Sequence, residues 1–563
     1  MRLRCAIAAL VAGVTVSTAA ASDIASSRHN LSVSGPGPVR AAAETQICIF
    51  CHTPHNASSV AQLWNRSAST ATYTPYTSSS LDAAPGQPTG SSKLCLSCHD
   101  GTIALGDVLS RATPIPMAGG VTQMPAGPSN LGTTLHDDHP VSFPYTAALA
   151  AADGELADPA SLGGDVRLDA GGELQCTTCH DAHDDSNGDF LVQDNTAGAL
   201  CRTCHETAYW TSSSHYVSGR IWNGVPPDPW PHTDYANVSD NACESCHNPH
   251  TAATPERLLN QAPEETNCLV CHNGNVARTD LDAEFAKVYT HPIDGTVGIH
   301  DSEEPGLVVD RHVECSDCHN GHAANPAGGF PPEVSGWQYG VKGVDTAGGA
   351  VDPASYQYET CYRCHADSPG LPTPTIPRVV AEANKRLQFD PANPSYHPVE
   401  TAGANPNVPS LLGNWSESSV MYCIDCHTND EGPRSGGSGP EGPHGSSYPA
   451  LLGWRYETAD RTQESVSAYN LCYRCHSRAS ILSDISFGEH RRHIVNEDTP
   501  CSACHDPHGV RVGGGGGDHT HLINFDTSIV SPRNGVLEFN DNGLFHGSCT
   551  LSCHGESHSN ETY

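Results

Sequence analysis

The sequence contains few of the residues that build protein cores. Phe, Trp and Tyr make up only 6% of its 563 residues and all apolar residues 37%, whereas Gly (53) and Pro (42) are abundant. Such a chain buries too little apolar side chain to offset the conformational entropy that folding costs. Ordinary hydrophobic domains are therefore excluded unless another group fills the interior.

Positive charge is also scarce. Lys and Arg together number 28 against 63 Asp and Glu, and the net charge is −35. This surface repels nucleic acid and favours other redox proteins of positive charge, metal ions or mineral surfaces as partners. Beyond the first 21 residues no stretch approaches the roughly 18 apolar residues that span a bilayer, so we expect no membrane span.

The first 21 residues predict a secretory signal. Arg2 and Arg4 precede an apolar stretch at 5–16, and the small residues 19–21 offer a cleavage site before Ser22. We therefore expect an exported protein, periplasmic or extracellular, from which Cys5 has been removed.

The other 24 cysteines all belong to one repeated unit, C-x-x-C-H, which ends in a single C-x-x-x-C-H variant. In this unit two thiols add across the vinyl groups of haem, and the histidine becomes the proximal iron ligand. Zinc sites and disulfides would not require the histidine, so the pattern predicts twelve covalently attached haem c groups, which also supply the missing apolar volume. The predicted sites are Cys48/Cys51/His52, Cys95/Cys98/His99, Cys176/Cys179/His180, Cys201/Cys204/His205, Cys243/Cys246/His247, Cys268/Cys271/His272, Cys315/Cys318/His319, Cys361/Cys364/His365, Cys423/Cys426/His427, Cys472/Cys475/His476, Cys501/Cys504/His505 and Cys549/Cys553/His554.

The twelve sites fall into six consecutive doublets, joined by linkers rich in Gly, Pro and Ser. Helical periodicity is short and strand patterns are hardly visible. We expect a mostly irregular fold with short α-helices and little β-structure, in which six haem-doublet modules pack around a chain of haems. The predicted boundaries are 1–21 for the signal and 22–134, 135–212, 213–285, 286–386, 387–484 and 485–563 for the modules.

The supply of histidine predicts bis-histidine ligation. Twelve of the 33 histidines are proximal ligands in this scheme, and only three methionines follow Met1. Because methionine ligation raises the haem potential, we expect low-potential haems.

Distal ligands are expected from two places in each doublet. The first site usually continues to C-x-x-C-H-x-x-H, and this +3 histidine leaves the same helical turn as the proximal one, so it must reach a neighbouring iron, which we expect to be the partner haem of its own doublet. In the fifth doublet His444 is the nearest substitute. The other +3 histidines are His55, His183, His250, His322 and His508.

The second distal ligand is expected from a histidine upstream of each first site. Alternatives exist in several doublets: His215 competes with His232, His490 with His493, His136 with His139 and His312 with His291. The ligands that we select are His29, His139, His232, His291, His397 and His493.

A polar residue directly follows many proximal histidines. Such a side chain either holds the ring of a ligating histidine or caps a local turn, and the sequence leaves both readings open. These residues are Asp100, Asp181, Asn248, Asn320 and Asp506.

The cassettes at 47–56 and 93–107, with similar ones at 243–250 and 501–508, resemble the doubled C-x-x-C-H multihaem cytochromes of metal-reducing bacteria, which are related to the small class III cytochromes. The resemblance covers essentially the whole mature chain. It implies electron transfer along closely packed haems in anaerobic respiration to extracellular acceptors. Some relatives are periplasmic carriers, and others are extracellular or form filaments, so a homopolymer of this chain is one expectation.

The leading hypothesis is therefore an electron conduit without catalytic residues, not an enzyme. The alternative is a multihaem reductase of a small nitrogen or sulfur oxyanion, which needs one iron with an open position. The sequence has no C-x-x-C-K site, and its histidines exceed the need, which favours the conduit. A filament subunit is a third hypothesis, and the fifth doublet is where an open iron would be sought.

Overall fold

The computed structural model describes residues 24–293, 313–369, 371 and 373–563. The predicted signal segment and the alternative ligand His312 lie outside the described residues.

Short α-helices carry five of the twelve attachment sites. The longest, α1, has ten residues and ends at the proximal histidine of its site. Helix α8 begins with a capping box, in which the Glu359 carboxylate accepts the backbone N–H of Tyr356 at 2.9 Å and of Ser355 at 2.7 Å. The α-helices are α1 Gly90–His99, α2 Ala147–Asp153, α3 Cys176–Cys179, α4 Ser214–Val217, α5 Val238–Asn241, α6 Glu264–His272, α7 Leu281–Phe285, α8 Gln357–His365, α9 Lys385–Phe389, α10 Asn470–Tyr473 and α11 Arg478–Leu482.

Single 3₁₀ turns carry the remaining helical sites, and a π-helical turn, Arg492–Asn496, lies near the last one. The turns that bear cysteines are Cys48–Phe50, Cys201–Thr203, Ala242–Ser245, Cys315–Asp317, Cys423–Asp425 and Cys501–Ala503. The others are Ile24–Ser26, Ala118–Gly120, Pro159–Ser161, Thr196–Gly198, Trp210–Ser212, Glu256–Leu258, Gly336–Gln338, Pro433–Ser435, Pro449–Leu451 and Thr520–Leu522.

Strands are short, and all their pairings are antiparallel. Strands β1–β2, β3–β7, β4–β5 and β6–β8 form two-residue pairs, while β9 to β12 form a four-stranded sheet at the C-terminal end of the chain, which the sequence pattern did not reveal. The strands are β1 Phe143–Pro144, β2 Glu173–Leu174, β3 Tyr289–Thr290, β4 Gly343–Val344, β5 Ala350–Val351, β6 Ser395–Tyr396, β7 Gly445–Ser446, β8 Gly509–Val510, β9 Val530–Ser531, β10 Glu538–Gly543, β11 His546–Cys553 and β12 Glu556–Thr562.

The chain forms two compact units. The first runs from the first described residue to Glu206 and includes His247–Leu258, and the second comprises Thr207–Cys246 and Leu259–Tyr563. The first four attachment sites lie in the first unit and the last seven in the second. The division falls inside the fifth site, whose cysteines belong to the second unit and whose histidine belongs to the first.

Buried apolar side chains form several small clusters. One groups six buried residues around Tyr362 and Met421, and another groups six around Phe539 in the C-terminal sheet. Attachment cysteines border both clusters, Cys423 and Cys426 in the first and Cys504 in the second. The irregular, helix-poor architecture with small sheets agrees with the sequence-based expectation.

In the described part of the chain, no helix is both long and apolar enough to cross a membrane.

Candidate metal centres

The same hydrogen bond closes most of the helical attachment sites. The backbone N–H of the histidine donates to the carbonyl of the first cysteine, for example from His52 to Cys48 at 2.7 Å and from His427 to Cys423 at 3.0 Å. One turn of helix therefore turns both cysteines and the histidine of a site towards the same side. Among the described residues, none of the 24 cysteines forms a disulfide.

Histidine rings that are far apart in the sequence meet in pairs. In the described residues ten pairs have ring centroids 6.0–6.5 Å apart, and nine of them contain the histidine of a C-x-x-C-H site. The pairs are His99/His29, His52/His183, His205/His139, His180/His250, His272/His215, His365/His291, His319/His444, His427/His508, His505/His490 and His493/His558.

This separation fits two imidazoles on opposite faces of one iron. A metal–imidazole bond is about 2.0 Å, so with about 1.2 Å from nitrogen to ring centre the two centroids lie about 6.3 Å apart in a linear arrangement and about 5 Å apart in a tetrahedral one. The observed range matches the linear, haem-type arrangement. In the described residues no group of three or more His, Cys, Asp or Glu side chains has the geometry of a metal-ion site.

Hydrogen bonds at Nδ1 leave Nε2 available for iron in about half of these rings. The acceptor is most often a backbone carbonyl, at 2.7 Å from Ser129 to His99 and at 2.8 Å from Trp337 to His319. His250 differs, because its Nδ1 lies 3.1 Å from the Oδ1 atom of the buried Asp138. Such partners fix the tautomer and the orientation of a ligating histidine.

At four proximal histidines, the carbonyl that bonds to Nδ1 belongs to a strained turn. The carbonyl belongs to the first of two consecutive non-glycine residues with positive φ, as at Ala450 (φ 59°) and Leu451 (φ 55°), where the distance from Ala450 O to His427 Nδ1 is 2.8 Å. Left-handed backbone costs a non-glycine residue free energy and concentrates at functional sites. The other three turns are Asp189/Phe190 at His180, Arg257/Leu258 at His247 and His521/Leu522 at His505.

Burial keeps many of the paired rings neutral, which is the state that binds iron. Burial, and then the neighbouring His205, lowers the pKa of His139 to about 4. In the same way burial, followed by His319, lowers the pKa of His444 to about 3. The pKa of His365 falls to about 4 through burial and its neighbour His291.

Three of the +3 histidines, and His444, face a site outside their own doublet. His183 of the second doublet lies against His52 of the first, His250 of the third against His180 of the second, and His508 of the sixth against His427 of the fifth. His444, the substitute in the fifth doublet, lies against His319 of the fourth. Each therefore reaches back by one doublet to a first site, which differs from our expectation.

The turn after the proximal histidine directs this reach. At each first site with a +3 histidine, the side chain after the proximal histidine accepts the backbone N–H of the +3 histidine, at 2.9 Å from His183 to Asp181 and from His322 to Asn320. Thr53, Asn248 and Asp506 do the same at 3.2–3.4 Å. Asp100 accepts the N–H of Thr102 at 2.8 Å. The structure shows turn capping by these residues, and the Asp181 carboxylate also lies 3.4 Å from His183 Nδ1.

The upstream histidines lie against second sites. His29, His139 and His291 face His99, His205 and His365, with interplanar angles of 70°, 81° and 54°. His397 lies close enough to His476 to contribute, after burial, to lowering its pKa to about 4. In contrast, the rings at His52, His319 and His427 are nearly parallel to their partners, at 9–11°.

One of our choices between alternatives differs from the structure. His215, not His232, is the ring against His272 in the third doublet, and His232 lies half-buried in a turn. In the sixth doublet both candidates have a ring partner, since His490 lies against His505 and His493 lies against His558. The sequence identifies His215 and His490 as histidines upstream of a first site. It does not rank them above the alternatives His232 and His493.

Three further predicted residues have other neighbours. His55 is exposed beside the first site, and His322 packs edge-on against Trp210, with centroids 6.0 Å apart. His554 bonds through Nε2 to Asp460 Oδ1 at 2.7 Å.

Two comparisons with protein families bear on these centres. The doubled CXXCH motif matches residues 170–208, and the family described as outer membrane cytochrome MtrC/MtrF-like, domains II/IV, matches residues 235–393. This chain is a multihaem c-type cytochrome. It is similar to the cytochromes of metal-reducing bacteria, it carries covalently bound haem c, and its role is electron transport. A comparison with curated proteins finds no match.

Successive attachment sites of the cytochrome are neighbours in space within each unit. In the first unit Cys51 lies beside Cys98 of the next site, and Cys95 lies within hydrogen-bonding reach of Cys176. In the second unit the same reach links Cys268/Cys315, Cys361/Cys423 and Cys472/Cys501.

Proposed function

We propose that the cytochrome relays electrons along twelve covalently bound, mostly bis-histidine haems of low potential, in anaerobic respiration to extracellular acceptors. The observation that carries this proposal is the set of histidine pairs whose rings lie 6.0–6.5 Å apart, nine of them at C-x-x-C-H sites. An iron held on both faces has no open position for a substrate, so the protein transfers electrons without acting as an enzyme.

The order of the sites supports a path for electrons. Cys179 and Cys204 are neighbours in the first unit, and Cys426 and Cys475 are neighbours in the second. Consecutive sites along the sequence are thus consecutive in space within a unit. Haems attached at these positions would form a row within each unit, in which His183, His250, His444 and His508 each lie against the first site of the preceding doublet.

Low potentials follow from the ligand set. Histidine, not methionine, lies at the paired positions, and Met421 is buried in an apolar cluster with Phe389 and Tyr358. Methionine would raise the potential of a haem that it ligated. The fifth doublet also has a ligand candidate, because His444 takes the position that a +3 histidine would fill against His319.

The proposed electron acceptors and location are inferred from the net charge and from the matched family. A net charge of −35 favours positively charged partners, such as a basic redox protein, ferric ions or a mineral surface. The matched family is described as an outer membrane cytochrome, which supports an extracellular or outer-membrane location for this exported chain.

The test is a haem count combined with ligand accessibility. We expect the intact mass of the mature protein to exceed that of its polypeptide by twelve haems, and the reduced protein to show no spectral change with carbon monoxide. Replacing His183 by Ala should convert one low-spin haem to a high-spin or open one, since His183 faces His52. The exposed His55 offers a matched control, because His55→Ala should leave every haem low-spin.

Two results would contradict the proposal. An intact mass that corresponds to fewer than ten haems would contradict the proposed row of haems. Stoichiometric binding of carbon monoxide by the unaltered protein, together with steady turnover of nitrite or hydroxylamine, would favour a reductase instead.

A further inference from the structure

The last attachment site is built on a β-hairpin, unlike the eleven others, which lie on helical turns. Cys549 and Cys553 belong to β11, and β12 begins at Glu556. His554 and Gly555 form the connecting two-residue turn, with φ values of 53° and 86°. Positive φ at both turn residues is typical of the tight type I′ hairpin turn.

The alternation of side chains along the hairpin decides which histidine accompanies the cysteines. Cys549, Leu551 and Cys553 are spaced by two residues and share one face of β11. His558 is paired directly with Leu551 across the hairpin, so its side chain lies on that same face. His554 belongs to the turn instead, and its Nε2 is engaged by Asp460 at 2.7 Å.

His558 has a partner with the geometry of the other centres. Its ring centroid is 6.1 Å from that of His493, at an interplanar angle of 39°. His493 hydrogen-bonds through Nδ1 to Glu489 O at 2.8 Å, which leaves its Nε2 available. Phe487 packs against His493, with centroids 5.8 Å apart, and against Tyr563 at 4.2 Å, so the pair has an apolar border.

We infer that His558 and His493, rather than His554, hold the iron of the last haem. This inference rests on the proposed function, because it assigns ligands within the proposed row of haems. The histidine that follows the second cysteine would then serve the hairpin turn, and a histidine four residues later would act as the proximal ligand.

The experiment compares alanine variants of the full-length, haem-loaded protein by intact mass and electron paramagnetic resonance. His558→Ala and His493→Ala should each convert one low-spin haem to high-spin, and the double variant should convert the same single haem. His554→Ala should leave all haems low-spin. His546→Ala is the matched control on the same hairpin, since His546 bonds to Tyr563 O at 3.1 Å and faces no other histidine in the pairs described above.

A high-spin haem in His554→Ala, together with an unchanged spectrum in His558→Ala, would overturn the inference. If His554→Ala loses one haem by mass because attachment itself needs this histidine, His558→Ala decides: a full mass with one high-spin haem supports the inference, and an all-low-spin spectrum overturns it. If the intact mass of the unaltered protein shows no haem, the proposed function itself is wrong.

Discussion

At the scale of single residues, the candidate histidine ligands differ in the group that accepts the hydrogen bond of Nδ1. Ten of the twenty paired rings bond to a backbone carbonyl, which is neutral, whereas His250 faces the carboxylate of Asp138, a residue only 3% exposed. A buried negative charge next to a ligating ring stabilises the ferric iron more than the ferrous one. The haem held by His180 and His250 should therefore have a lower potential than it would with a neutral acceptor.

The first prediction concerns this carboxylate. Asp138→Asn should raise the midpoint potential of one haem by about 60 mV, the equivalent of a tenfold change in a one-electron equilibrium. A spectroscopic redox titration measures the shift. Asp137→Asn is the control, since Asp137 is partly exposed and lies 3.5 Å from His136 instead. A potential unchanged in Asp138→Asn would mean that this carboxylate does not act on the iron.

At the scale of elements, the recurring unit is an attachment turn clamped by a second segment. At His427 this segment pairs with the site through an isolated bridge to Leu452, and its strained residue Ala450 supplies the carbonyl. The same arrangement recurs at His180 with Leu191 and at His505 with Ile523. The strained turn places a carbonyl where it bonds to the proximal histidine and orients its ring.

The second prediction measures this strain. Ala450→Gly should raise the free energy of unfolding by about 0.5–1 kcal/mol, because glycine adopts φ 59° without a steric penalty. The carbonyl stays in place, so the low-spin spectrum should not change. Chemical denaturation followed by haem absorbance provides the measurement.

The control for this substitution lies in a regular helix. Ala479→Gly in α11 should lower the free energy of unfolding by up to about 1 kcal/mol, since glycine weakens a helix interior. Equal destabilisation by both substitutions would show that the left-handed turn at Ala450 stores no strain.

At the scale of the whole molecule, protein side chains alone make only small cores. The buried clusters are separate, and cysteines of the attachment sites lie at their borders. Long irregular segments rich in Gly and Pro connect them. Haem surfaces must then supply the apolar contacts that join the clusters into a stable fold.

The third prediction follows from this dependence. The mature chain, produced without haem attachment, should lack near-ultraviolet circular dichroism and a cooperative thermal transition, because its side chains cannot offset the entropy of ordering. The haem-loaded protein is the control and should unfold cooperatively. A sharp unfolding transition in the haem-free chain would contradict the idea that haem forms the core.

The sequence by itself predicted the eleven C-x-x-C-H attachment sites and their histidines, because this motif acts within one turn of chain and needs no distant partner. It also determined the surplus of histidine over methionine. It gave His215 and His490 only as alternatives. The dipeptide His554-Gly555, which could have indicated a tight hairpin turn, was overlooked. Non-glycine left-handed turns such as Ala450/Leu451 carry no sequence signal at all.

Only the tertiary structure decided which rings meet. His183 and His52 are separated by two attachment sites in the sequence, and their meeting depends on how the intervening chain folds back. The angle between paired rings likewise follows from the backbone that carries each ring. At the C-terminus, pairing of β11 with β12 brought His558 to the face of Cys549 and Cys553. Such contacts arise from long-range packing, which a local motif does not encode.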